Sequence, residues 1–372
     1  MLAGSLLEEN REFGLAVFDS GTEVEVSGSV IRKTLPDDNG KYGMGILASE
    51  GCRVSVAGSL LEENRKVGLA VKHSGTEVEV SGSVIRKTLP DGNGEGGIGI
   101  QAGEGCTVSV TGSLLEENRD VGLAVGHSGT AVEVFGSVIR KTLPDENGEL
   151  GRGINAAEGC AVSVVGSLLE ENRDVGLAVF GSGTEVEVSG SVIRKTMPDN
   201  EGMHGAGLVV DGGASGTVSW CHIEGNSTAS IMAHGFSGGA APTHSLLHVE
   251  NSAVLKTKKG GFEVPGHGYE VFGDGLFAGG GAELQLDSVV VMDNARTGAY
   301  YHESAGAVSN TVIAGNGSYG LAMESCHQYV DDSDMFIFGN VLEAVTKSPQ
   351  GLPVPPPPEI MEAFGSSPEF DE

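Results

Sequence analysis

Two short phrases recur through the first half of the chain at a fixed spacing of 54 residues. GSLLEENR begins at Gly4, Gly58, Gly112 and Gly166, and GSVIRKT begins at Gly28, Gly82, Gly136 and Gly190. The two phrases are versions of one unit: Ser5 to Asn10 aligns with Ser29 to Thr34, and Thr22 to Val26 with Cys52 to Val56. The true repeat is therefore about 23 residues, with a longer turn in every second copy. Each unit holds three segments, G-L-A-V, V-E-V and S-V-I-R-K-T. All are too short and too β-branched for helices, and Gly, Ser, Asn or Asp separates them. Three strands and three turns at a fixed period make one coil of a solenoid. Stacking the coils pairs each strand with its equivalent in the next, in parallel, at about 4.8 Å. The 60 glycines among 372 residues follow from so many tight turns, since no collagen period is present.

Equivalent residues stack into files. Asn10, Thr34, Asn64, Thr88, Asn118, Thr142, Asn172 and Thr196 form one, placed to satisfy backbone groups at a turn. Glu8, Arg32, Glu62, Arg86, Glu116, Arg140, Glu170 and Arg194 form another, in which opposite charges alternate and fix the two-coil register. Cys52, Cys106 and Cys160 also recur at 54. They are two coils apart, about 9.6 Å, beyond disulfide reach, and read as buried core residues.

In S-x-I-x-x-N followed by G-[IL]-x-V, the units resemble the right-handed parallel β-helix repeats of the pectate-lyase-like superfamily. The likeness runs from Gly4 to about Val345, through Ile223, Val254, Val290 and Val312. It implies an all-β, single-stranded right-handed parallel β-helix of about twelve coils. Residues 1–206 form near-identical double-coil repeats and residues 207–345 divergent coils with longer loops. Residues 346–372 form a Pro-rich acidic tail, stiffened by Pro355 to Pro358. The superfamily spans lyases, hydrolases, esterases, adhesins and tailspikes, so the resemblance leaves the activity open.

The net charge of −29 disfavours nucleic acid and anionic membranes and is compatible with solubility or divalent cations. No apolar run reaches membrane-span length. Met1 is followed directly by repeat sequence, so no signal peptide precedes it and upstream sequence is expected to be missing. The resemblance alone implies an extracellular or cell-surface location. An uncapped first coil would favour end-to-end self-association.

The 54-residue period also brings four acidic loops, TLPDDNG, TLPDGNG, TLPDENG and TMPDNEG, to one edge, about 9.6 Å apart. Asp37, Asp91, Asp145 and Asp199, with Asn39, Asn93 and Asn147, are the candidate binding residues, and the four aspartates suit Ca²⁺ through oxygen. No other cofactor is expected. A fifth long loop, 258–274, brings Lys258, His267, Tyr269 and Asp274 beside Lys256. Gly266-His267-Gly268 echoes a polygalacturonase element, without the companion Asp motifs. These five residues are the catalytic candidates if the chain acts on polysaccharide. The main expectation is a non-catalytic structural or binding solenoid, its partner a polysaccharide or another surface protein. The alternative is a polysaccharide lyase or hydrolase with its site in the divergent half.

Overall fold

A computed structural model describes residues 1–202, 204–235, 244–264, 268–326, 330–331, 335–342 and 345–348. The chain divides into two compact units, with the division between Arg173 and Asp174. All the elements of the described residues are β-strands.

In the first unit, each coil contributes one strand to each of three sheets. One coil supplies Val67–Val71, Glu77–Ser81 and Val84–Arg86 to the first, second and third sheets. Every strand pairs in parallel with its repeat equivalents: Glu77 lies beside Arg53 and Thr107, Val84 beside Leu60 and Leu114, and Leu69 beside Ile46 and Ile100. The register is the one the repeat alignment predicts.

Burial separates the sheets. Glu77–Ser81 alternates exposed and buried residues, sending Val78 and Val80 into the core and two glutamates to solvent. Val67–Val71 is buried throughout. Leu69 and Val71 are core residues, while Val67 and Ala70 join Met44, Ile98, Val121 and Ala124 in a second apolar cluster. The first sheet is thus covered on both faces, which suits its continuous apolar sequence.

The turns follow the files. Thr34 N–H and Oγ1 both donate to Asn64 Oδ1, at 3.1 and 2.8 Å, and Asn64 Nδ2 donates to Ile31 O at 3.1 Å. The Glu–Arg file breaks into pairs rather than a continuous network. Arg32, Arg86 and Arg140 reach back to Glu8, Glu62 and Glu116 at 2.8, 2.6 and 2.6 Å. Cys52, Cys106 and Cys160 are free, buried thiols, and burial pushes Cys106 and Cys160 up to about 11.

The second unit repeats this plan with less regular coils. Its first sheet runs through Val175–Phe180, Ala206–Asp211, Ala229–His234, Asp274–Gly279, Ala299–His302, Leu321–Glu324 and Val345–Ser348, all in parallel. The fifth long loop is not irregular. It carries an antiparallel hairpin, Gly260–Val264 with Gly268–Phe272. Residues 349–372 of the expected tail lie outside the described residues.

Candidate functional site

The acidic loops do not stand apart as their period implies. In the first unit Gly92 N–H donates to Gly40 O at 2.8 Å, so the first two loops touch. Each loop is longer than the short turn between it and the next. The arginine of that short turn fills the space beneath. Arg65 N–H bonds Gly43 O at 2.8 Å, and its guanidinium bonds Pro90 O at 3.1 Å. Arg119 does the same for Pro144, at 3.3 Å.

The candidate aspartates are occupied within their own loops. Asp37 Oδ1 accepts from the N–H groups of Asn39 and Lys41, each at 2.8 Å. Asp91 and Asp145 repeat the pattern, with Asn93 and Glu95 and with Asn147 and Glu149 as donors. The Lys41 N–H bond, chiefly, holds the Asp37 carboxyl below its ordinary range. Asp91 and Asp199 are buried. These carboxylates stabilise tight turns, which is why Asp-x-Asn-Gly recurs there. Among the described residues no group of three or more His, Cys, Asp or Glu is placed to hold a metal ion.

The repeats depart from one another at the loop base. The residue after the short-turn arginine is Glu12, Lys66, Asp120 or Asp174. Its carbonyl always receives two backbone N–H groups from the end of the following loop, Gly97 and Ile98 for Lys66 and Gly151 and Arg152 for Asp120. Its side chain differs, and so does the partner. Lys66 meets Glu95 at 3.3 Å. Buried Asp120 has its carboxyl raised to about 7 by burial, against the pull of Arg152. In the second unit, Asp174 Oδ1 lies 2.7 Å from His204 Nδ1, with Asp199 Oδ2 at 3.7 Å from the same nitrogen. The sequence signal was available: Lys66 with Glu95, Asp120 with Arg152 and Asp174 with His204 are paired departures from an otherwise copied repeat.

Of the five catalytic candidates, Lys256, Lys258 and Asp274 have described side chains, and these three do not converge. Lys256 is exposed beside the third sheet of the second unit and pairs with Glu224 at 2.7 Å. That bond first, and His222 second, lower Glu224 to about 2. Lys258 is exposed and bridges Ser227 through its backbone. Tyr269 lies in the hairpin, and His267 lies outside the described residues. Asp274 occupies a polar cluster, on the first sheet.

That cluster assembles from successive coils of the second unit. Asp274 Oδ1 accepts from Arg296 Nε at 2.8 Å and from Thr297 N–H at 3.0 Å, and its second oxygen pairs with Arg296 Nη2. The guanidinium lies over the rings of Phe272 and Tyr300, 5.2 and 5.7 Å from their centroids. Tyr300 donates to Glu324 at 2.5 Å, and burial, reinforced by that carboxylate, raises its phenol strongly. Five residues along the strands from Asp274 and its partner Ala229, His234 Nδ1 sits 3.2 Å from Asp211 Oδ1. Apolar Val209, Met232 and Phe277 share this face. Sequence reasoning singled out Asp274 but not Arg296, Tyr300, Glu324, Asp211 or His234, because no local motif joins residues a coil apart.

Residues 2–139 match the family model of the right handed beta helix region. Among solved structures the chain is similar to the periplasmic alginate epimerase AlgG, at 11% identity and a TM-score of 0.60, covering 89% of this chain and 76% of that one. It is also similar to pectate lyase Pel9A, at 12% identity and a TM-score of 0.45, covering 84% of this chain and 70% of that one. Comparison with curated protein sequences gives no match. At these identities the likeness is one of fold. Joined to the in-register parallel sheets, the family match and the likeness to AlgG give the chain the fold of a right-handed parallel β-helix.

Proposed function

We propose that the chain is a non-catalytic, exported or surface-exposed β-helix that binds polysaccharide. One observation carries this reading: among the described residues, four of the groups suited to acid–base chemistry are committed to internal partners. Lys256 is held by Glu224, Arg296 by Asp274, Tyr300 by Glu324 and His234 by Asp211. A lyase or epimerase needs a cation free to neutralise a uronate carboxylate and a base free to take the neighbouring proton. Solenoids commonly use their long regular faces for binding.

A second reading is favoured by the first-sheet face of the second unit, where Asp211, His234, Asp274, Arg296, Tyr300 and Glu324 gather as acid, base and cation types. The fold likeness to an alginate epimerase supports the same alternative. A panel of acidic and neutral polysaccharides separates the two. Unsaturated products, new reducing ends and uronate epimerisation are measured beside retention of each polymer. Retention without turnover supports the binding reading. Turnover that disappears in His234→Ala or Asp274→Asn sinks it.

A further inference from the structure

The sharp corner between the second and third strands of each coil is made by one residue in the left-handed backbone region. Eight glycines, from Gly4 to Gly190, hold this place through the copied repeats, with φ between 52 and 57°. The next corner is Trp220, with φ 57°. This is the only tryptophan of the chain, and it is 70% exposed. A bulky side chain is strained in this backbone region, where glycine is not. Burial offers no compensation, since the indole stands in solvent. Neither folding nor packing accounts for it.

The corners that follow change in the same direction. Asn251, Ser288 and Asn310 take the place of glycine, with φ of 48, 57 and 49°. Trp220 N–H donates to Glu250 O, and Asn251 N–H to Asp287 O. Asn310 Nδ2 and Ser309 Oγ fix the Asp287 carboxylate at 2.9 and 2.8 Å. On the other side, a side chain at Gly190 would meet nothing within 4 Å, which leaves the approach to the indole open. The edge therefore presents one aromatic plate followed by amide, carboxylate and hydroxyl groups at a coil spacing of about 4.8 Å, close to the length of one hexose.

We infer that Trp220, with Asn251, Asp287, Ser288 and Asn310, forms a binding edge for a neutral polysaccharide. The indole stacks on the apolar face of one sugar, and the polar groups bond the hydroxyls of the sugars beyond it. The carboxylate of Asp287 and the acidic surface disfavour uronates and sulfated chains. This deepens the polysaccharide-binding reading and rests on it.

A lone tryptophan makes the test direct. Emission is followed during titration with neutral gluco-, manno- and xylo-hexasaccharides, and affinity electrophoresis measures retention on neutral and anionic polymers. The variant Trp220→Gly restores the residue used at eight equivalent corners, so its unfolding midpoint is expected to hold or rise. The expected result is a saturable emission change with one neutral series, at least tenfold weaker retention in Trp220→Gly, and weaker retention in Asn310→Ala. Retention unchanged in Trp220→Gly overturns the site and leaves the broader binding reading standing. Retention of anionic polymers only does the same. Emission that responds to a cationic peptide and to no sugar also overturns it, and no retention of any polymer removes both readings.

Discussion

Asn64 shows why the turn after the third strand needs a planar amide. Its oxygen accepts from the backbone and hydroxyl of Thr34, and its nitrogen donates to Ile31 O. The side chain is buried. In Asn64→Ala, Thr34 N–H and Ile31 O both lose their partner where water cannot replace it. The expected loss is about 2–6 kcal/mol, at 1–3 for each of the two stranded groups, read from the midpoint and slope of a urea denaturation curve. An unchanged midpoint would show that water enters the turn. The Asn and Thr file was legible because both types recur at matching positions. Its neighbours were not. Glu63 and Lys87 sit in the left-handed region, with φ of 55 and 54°. Glu and Lys carry no signature of that backbone in the sequence.

The long loop is the element that distinguishes alternate coils, and its base is where the copies have diverged. Asp120 is buried there with its carboxyl raised to about 7, by burial first. Arg152 opposes the shift, and Asp145 adds to it. An unfolded aspartate titrates near 3.9. Between these values the folded chain holds a proton that the unfolded chain has released. Stability from this group is therefore full below about pH 3.9 and declines as pH rises to about 7. In Asp120→Asn that decline is expected to flatten, by an upper figure of about 4 kcal/mol for a shift of about three units. Denaturation midpoints of both proteins at pH 4 and pH 8 check this, and equal pH slopes would refute it. Sequence placed the loops on one edge through Pro, Asp and Gly. It could not foresee their contact, because Gly40 O and Gly92 N are backbone atoms with no side-chain signal. The hairpin was legible in principle, as GGFEV and GYEVF flank the sequence Pro-Gly-His.

Across a whole unit, function was less legible than fold for a physical reason. The fold repeats its evidence in every coil, whereas a site is assembled once. Asp274 and Arg296, like Tyr300 and Glu324, are about a coil apart in sequence and meet only through stacking. The same nearest-neighbour logic predicts which deletions the first unit tolerates. Removing residues 58–111 joins Ala57 to Gly112 and takes out one double coil. Leu114–Glu116 then follows Val30–Arg32, so Arg32 still faces a Glu and Thr34 still finds an Asn, Asn118. Removing residues 58–81 instead joins Ala57 to Gly82 and takes out a single coil. Arg32 then lies beside Arg86, and Thr34 meets Thr88 in place of an amide. Two long loops also fall on consecutive coils, without the short turn and its Arg65 between them. The like-charge contact costs about 0.2–1 kcal/mol, and the missing amide strands buried groups at about 1–3 kcal/mol each. The double-coil deletion is expected to fold with its thermal midpoint within a few degrees of the parent. The single-coil deletion, though it removes fewer residues, is expected to melt far lower or to aggregate. Circular dichroism melts of the two deletions decide the matter. If the shorter deletion is the milder one, the alternation of loops, charges and amides is an inherited copy pattern and does not hold the coils in register.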